Sequence, residues 1–425
     1  MSSEPRKFDI IPAGQLPDGE ALQRNVAGRR TSGTVWRNLF LACILVALIS
    51  LVLVAYNVAN DAYGLVATQS RLDETELTGG VELEQLEQGQ LLAILQENLR
   101  SARLRAIERE QPLAERSQEG LVELIQVEIL RQEIIATNPL VDSLFNRTAF
   151  EERVLAENPR ADIEWKRWFN VDFIRSPGSS RPEIAGISTA IWGSLGIILV
   201  TMLVALPLGI GAAIYLEEYA GDSRISRIIQ TNISNLAGVP SIIYGMLGLA
   251  IFVRALGAIT SGALFGYAGA DPAAGRSILS GGLTMALLIL PIIVITTQEA
   301  IRAVPRSLRQ ASLALGATKW QTIWNQVLPI SFPGILTGTI LAVSRAMGET
   351  APLVVLGTAT YIAASPDSIF SRYTTLPIQI YQWTSRPQAE FRNLAAATII
   401  MLLIIILLLN ATAILLRNRY SKRLN

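Results

Sequence analysis

Residues 299–357 read EAIRAVPRSLRQASLALGATKWQTIWNQVLPISFPGILTGTILAVSRAMGETAPLVVLG. Two textures meet in this stretch. Its first half alternates helix formers with Pro305, Gly316 and Pro329, the pattern of two short helices divided by a turn at Leu315-Gly316-Ala317. Its second half is apolar enough to cross a bilayer, yet carries Arg345 and Glu349. A helix lying across a membrane face, with an apolar underside and small residues on top, is a shape another protein can grip.

Outward from this stretch, six hydrophobic segments approach the about 20 residues that an about 30 Å hydrocarbon core requires. They lie near 38–59, 190–216, 232–254, 277–298, 332–357 and 393–416. The fold class that follows is an all-α polytopic membrane protein with six transmembrane helices. Composition agrees, because half of the 425 residues are hydrophobic and mean hydropathy is +0.37. A net charge of +1 supplies no basic field, so no nucleic acid is expected as a partner. The chain has no histidine, which removes Ser-His-Asp and Cys-His chemistry, HExxH zinc sites and histidine proton relays. No GxxxxGK[ST] string occurs, so nucleotide hydrolysis is not expected of this chain. Its one cysteine, Cys43, excludes an internal disulfide and reads as a small buried hydrophobe in the first apolar run.

Charge sets the orientation. Arg29, Arg30 and Arg37 precede the first span, and Arg302, Arg306, Arg309 and Lys319 crowd the loop at 299–321. The tail carries Arg417, Arg419, Lys422 and Arg423. The positive-inside rule puts all three in the cytoplasm. The expected organisation is a mobile N-terminal arm over 1–37, a first span at 38–59, an extracytoplasmic helical insertion at 60–183, a core of five further spans over 184–416 and a cytoplasmic tail at 417–425. The arm lacks the short apolar core of a cleavable signal.

Within the insertion, Leu83, Leu86, Ile94, Leu95 and Leu99 recur at helical spacing, and so do Leu121, Leu124, Ile125 and Ile129. The spacing predicts a helical hairpin or small bundle with an amphipathic seam. That seam serves either internal packing or docking of a binding protein or partner subunit. Trp165, Trp168 and Phe169 suit a membrane–water interface.

The quoted stretch resembles the EAA loop of ABC importer permeases. Gln310-Ala311-Ser312, Gly316 and Gln326-Val327-Leu328-Pro329 fall at the family's spacing, with Gln310 where the family usually has Glu. The longer strings at 315–322, 333–338 and 345–353 resemble the PstA phosphate permeases, as do Asn235–Ile242 and Gly209–Tyr219. The likeness covers roughly 173–416 and the first span, but not the bulk of the insertion. It implies a type I ABC importer permease fold whose EAA coupling loop spans about 299–330. Gln310, Ala311, Ser312, Gly316, Ala317, Thr318 and Lys319 would then meet the ATPase. It also implies a second, PstC-like permease, two PstB-like ATPase subunits, a PstS-like phosphate-binding protein and surrounding membrane lipid. No cofactor is expected on this chain, with ATP and Mg used by the partner ATPase.

Arg345, Glu349 and Thr350 are the candidate substrate path. Counting 1.5 Å per residue from Gly334 puts Arg345 about 15 Å into the span, where a charge is expensive and must face protein or water. Glu349, four residues on, shares its face. Either the pair neutralises itself and holds subunits together, or it lines a path for an oxyanion. Arginine's planar fork matches two phosphate oxygens. A carboxylate beside it accepts the proton that phosphate still carries at neutral pH and repels sulfate. Gly334 and Gly338 form a small-xxx-small face for close helix packing. Pro207 and Pro240 are expected to kink their spans, with Ser241 contributing to packing beside the second kink. A permease for a related oxyanion and a gradient-driven secondary transporter are the alternative functions. The latter needs its own coupling sites in a repeated fold, and no internal repeat is visible.

Overall fold

A computed structural model describes residues 19–70, 83–99, 116–130, 132–267, 275–357 and 365–421, with 77–78, 104–105, 107–108, 112–113 and 362 between them. Residues 1–18 of the expected arm, and Lys422 and Arg423 of the tail, lie outside the described residues. The chain divides into two units, Met1–Asn57 and Val58–Asn425.

The first unit holds most of α1 (Glu20–Ala62), of which Val26–Ala62 is long and apolar enough to cross a membrane. The arm expected over 1–37 is therefore helical from residue 20. Glu20, Ala21, Leu22, Gln23 and Arg24 are strong helix formers, and no proline follows Pro17 before the span. Cys43 is exposed on this helix, not buried.

The second unit opens with the insertion, which is not wholly helical. β1 (Tyr63–Ser70) begins where α1 ends. It is followed by α2 (Gln88–Asn98), α3 (Gln118–Glu128), β2 (Gln132–Pro139), α4 (Leu140–Phe145), α5 (Arg147–Glu157) and β3 (Asp162–Arg167). The strands form an antiparallel sheet in the order β2-β1-β3, with Leu65 opposite Asn138 and Trp165. Alternation explains it: Leu65 and Ala67 pack on Phe150 and Val154 of α5, while Val66 faces the other way, into the main core with Trp168 and Phe173. The amphipathic seam is present as the periodicity predicts, since Leu91, Ile94 and Leu95 pack on Leu121, Val122 and Ile125. Trp168 is buried and Phe169 half-buried, leaving Trp165 as the exposed aromatic of the three expected at an interface.

The membrane core follows. α6 (Ser188–Ile214) runs on through a π-helical turn, Tyr215–Tyr219. Then come α7 (Arg224–Ala237), α8 (Ser241–Gly248) with a π-helical extension to Ala255, and α9 (Ile278–Arg302). α10 (Arg306–Ala314) and α11 (Lys319–Thr322) lead through Ile323–Val327 into α12 (Leu328–Gly348). α13 (Ala351–Val355), α14 (Leu376–Thr384) and α15 (Ala389–Ser421) complete the chain. α9 is the central element. It packs against α6, α7, α8 and α12, and Met285, Ile289 and Ile293 on it are fully buried. A hydroxyl of α6 also ties it in, with Thr201 Oγ1 donating to the Gly282 carbonyl at 3.0 Å.

Two expected spans are corrected. Among the described residues five helices are long and apolar enough to cross a membrane, or six if the bent pair α7 and α8 is one span; the segment expected at 232–254 is thus divided, by a bend of 103°. Pro240 is the cause. It lies between the helices rather than inside one and cannot donate the N–H that would continue α7. The segment expected at 332–357 is also interrupted. α12 ends at Gly348, Glu349 is extended at φ −79° and ψ 117°, and α13 restarts at Ala351.

Candidate functional site

The break in the fifth span falls on the charged pair. Arg345 occupies the last turn of α12, and its Nε donates to Glu349 Oε1 at 3.3 Å. Glu349 is the first residue beyond the helix, and Thr350 precedes α13. The pair expected on one helical face is thus made across a helix end. Arg345 thus stands in the last turn of a helix, where positive charge is favoured. Arg345 remains 42% exposed within this chain and Glu349 21%, so neither is sealed into the core.

The packing around the break is tight. α8 lies on α13, and a Cβ added at Gly245 would sit 2.6 Å from the Pro352 carbonyl oxygen and 2.7 Å from its Cα. Gly245, which sequence reasoning passed over, is thus the residue that lets the bent segment reach the backbone just beyond Thr350. Gly334 and Gly338 make a close approach of their own, to Ala300 and Thr296 of α9. Their partner is a helix of the same chain. Pro240 is exposed and Ser241 half-buried at the bend, so the bend, not a helix-packing contact, accounts for Pro240. An open groove of about 640 Å³ runs beside the glycine contact, lined by Glu299, Thr337, Ser344 and Asn410 among others. Ser344 donates to Asn410 across it at 2.8 Å. Arg345 and Glu349 do not line this groove.

The second cluster is the loop between α9 and α12, about 26 Å along α12 from Arg345 at 1.5 Å per residue. Its geometry follows from local sequence. Gly316 adopts φ +85°, which ends α10, and the Thr318 hydroxyl accepts from the Gln321 amide to start α11. Ser312 and Thr322 share a 2.9 Å hydrogen bond that closes the two short helices on each other. Gln310 and Ala311 are exposed on α10, and Ala317 is half-buried in the turn. The exposed side also carries Leu313, Leu315, Trp320 and Trp324, with Leu315 90% exposed and the two indoles stacked at 5.7 Å.

What holds this loop is a run of three consecutive residues at the end of the second span. Arg302 makes a two-point contact with Glu217, at 2.9 and 2.5 Å. Arg309 donates to Glu218 at 3.0 Å and to the Val304 and Ile301 carbonyls at 2.6 and 2.8 Å. The Lys319 ammonium stands 5.0 Å from the Tyr219 ring centre. Sequence reasoning noted Glu217, Glu218 and Tyr219 as part of a matching string but gave them no role. The signal was available: two adjacent carboxylates end one apolar span, and a loop carrying Arg302, Arg309 and Lys319 follows another.

Comparison with known proteins places the chain. The family described as "Binding-protein-dependent transport system inner membrane component" matches residues 205–425, which leaves the strand-bearing insertion outside the match. The chain is 34% identical over 232 residues to the probable ABC transporter permease protein YqgI of Bacillus subtilis, covering 51% of this chain and 74% of that protein. It is 34% identical over 236 residues to the phosphate transport system permease protein PstA of Xylella fastidiosa, covering 55% and 76%. To the phosphate transport system permease protein PstA 1 of Mycobacterium tuberculosis it is 35% identical over 203 residues, covering 48% and 61%. With the family matched over more than half of its length, the chain belongs to the inner membrane components of binding-protein-dependent transport systems, the permeases of ABC importers.

Proposed function

We propose that the chain is one of two permease subunits of an ATP-driven importer that carries inorganic phosphate into the cell. The observation that carries this reading is the likeness to phosphate transport permeases over most of their length, 76% of the Xylella fastidiosa protein. The chemistry at the broken span supports it. Arg345 offers a fork of donors to two oxygens of a tetrahedral anion, and Glu349 accepts a proton that hydrogen phosphate still holds. Thr350 adds a hydroxyl at the same break. Glu349 also tempers the arginine, so that the site releases what it binds.

In this reading both termini and the 299–330 loop face the cytoplasm, and the insertion faces outward. A PstS-like protein delivers phosphate on the outside, and two PstB-like ATPases grip α10 and α11 through Leu313, Leu315, Trp320 and Trp324. ATP and Mg are consumed there, and this chain supplies no covalent chemistry. α7 exposes Ile225, Ile228 and Leu236 on one face, suited to a PstC-like second permease. The test is uptake by the complete complex in proteoliposomes. Phosphate import that requires ATP, with phosphate-dependent ATPase activity, supports the reading. Import that survives loss of the ATPase, or transport of another oxyanion in preference to phosphate, sinks it.

A further inference from the structure

The insertion carries an apolar lip beside Asn60, one of the polar residues that follow the first apolar run. Leu144 and Phe145, at the end of α4, are 61% and 81% exposed. Taken at 100° per residue, Leu140, Val141, Leu144 and Phe145 occupy one arc of α4, with Asp142 turned about 130° from its centre. Ser143 points the other way, fully buried, accepting from the Leu65 amide at 2.9 Å and donating to the Asn138 carbonyl at 2.9 Å. A helix with one face nailed down and two large hydrophobes left outside needs something apolar to cover them.

Three contacts set the depth of this lip. The Val141 amide donates to Asn60 Oδ1 at 2.8 Å, the Trp168 amide donates to the Ala62 carbonyl at 3.2 Å, and β2 packs against α15. Asn60 and Asp61 are where polar residues resume after the first apolar run, so this is the headgroup zone. The sheet register places more of the same chemistry there. Trp165, 46% exposed, pairs with Leu65 at the span-proximal end, and Arg167 pairs with Tyr63. Arg147, 54% exposed, follows the lip and is paired with Glu151 at 2.6 Å. Exposed Leu, Phe and Trp flanked by arginine is the composition of a segment that lies in a lipid interface.

We infer that α4 is an interfacial anchor, its Leu144–Phe145 lip inserted among the lipid headgroups and upper acyl chains of the outer leaflet, fixing the insertion against the membrane. The occupant is phospholipid rather than a protein partner, because the strand leading into the lip packs against α15, a helix long and apolar enough to span the membrane, and Trp165 lies exposed in the same sheet. This does not depend on which anion is carried.

The experiment uses the complete complex in lipid nanodiscs. Its other cysteines are removed, Cys43→Ala among them, and a nitroxide is attached to Phe145→Cys, Leu144→Cys or Asp162→Cys. Asp162 is exposed at the opposite end of the sheet, paired with Thr68. Labels at 144 and 145 are expected to be relaxed several-fold more by oxygen than by a water-soluble nickel chelate, and the label at 162 the reverse. If the 144 and 145 labels meet the chelate as freely as 162, the lip faces water and the inference fails. If they are shielded from both reagents, protein covers the lip and it fails equally. Two adjacent sites guard against a single variant that does not assemble.

Discussion

Arg309 and Glu218 meet at 3.0 Å with their side chains only 20% and 10% exposed, and through them the short helix α10 is fastened to the end of the second span. Arg309 also caps two carbonyls at the end of α9. One guanidinium therefore joins three elements, so a displacement of α10 by a partner is passed to α6 and α9 together.

The neighbouring pair behaves differently. Arg302 is 58% exposed, so its contact with Glu217 is screened and contributes at most about 1 kcal/mol. Removing Glu218 strands a half-buried arginine and costs about 1–3 kcal/mol. Glu218→Ala is expected to lower the melting temperature of the complex and the anion carried per ATP hydrolysed, whereas Arg302→Ala leaves both close to wild type. Thermal unfolding together with paired uptake and ATPase assays reads this, and equal effects of the two variants would refute the assigned hierarchy.

Arg345 and Glu349 distinguish a path from a mere internal tie. If the pair only neutralises itself, the double variant Arg345→Gln/Glu349→Gln restores what either single change removes. If Arg345 binds the anion, Arg345→Gln and the double variant both lose at least about tenfold in uptake, roughly 1.4 kcal/mol. Glu349→Gln alone is expected to keep phosphate transport while admitting sulfate. Competition between the two anions in proteoliposome uptake measures it.

Much of this was legible from particular residues. Gly316 and Thr318 announce the turn and the restart of a helix through their own chemistry, and the basic 299–321 loop stands out by charge. The leucines at 91–95 and 121–125 carry a helical period. What stayed hidden was long-range. The strands at 63–70 and 132–139 alternate over too few residues to stand out inside a charged, helix-prone insertion. The break at Glu349 has local markers, Gly348 before it and Pro352 in the first turn of α13, whose missing N–H cannot bond the Gly348 carbonyl, but the close packing of Gly245 on Pro352 is not written in the local sequence. Pro240 was visible, but its neighbours decide whether it kinks a helix or divides two.

Gly245 gives a steric test of that packing. A methyl there meets backbone, which cannot rotate away, so Gly245→Ala is expected to cost about 1–3 kcal/mol and to disturb the Glu349–Thr350 break. Gly338→Ala meets the Oγ1 and Cβ of Thr296, side-chain atoms that a second change, Thr296→Gly, removes. Partial rescue of Gly338→Ala by Thr296→Gly, relative to the cost of Thr296→Gly alone, with no comparable rescue for Gly245→Ala, is the expected pattern in thermal unfolding. Full stability of Gly245→Ala would show that α8 and α13 do not approach as described.

Tyr373 supplies the last prediction. Its ring is fully buried, its hydroxyl has no hydrogen-bond partner among the described residues, and it stands where a Cβ on Gly281 would touch it at 2.2 Å. An unpaired buried hydroxyl is a liability, so Tyr373→Phe is expected to leave stability unchanged or raise it by up to about 1 kcal/mol, while Tyr373→Leu opens a cavity and destabilises. Burial also pushes the phenol's pKa far up, because the phenolate loses its hydration. The sign follows from a folded-state value above the unfolded one. The neutral phenol's contribution is intact below the ordinary tyrosine pKa of about 10 and declines as pH rises past it, since only the unfolded chain then ionises. Unfolding curves at pH 8 and pH 11 should therefore fall further for the wild type than for Tyr373→Phe. A larger fall in the variant would mean that the folded phenol ionises more readily than the unfolded one, which burial without a stabilising donor or cation does not allow.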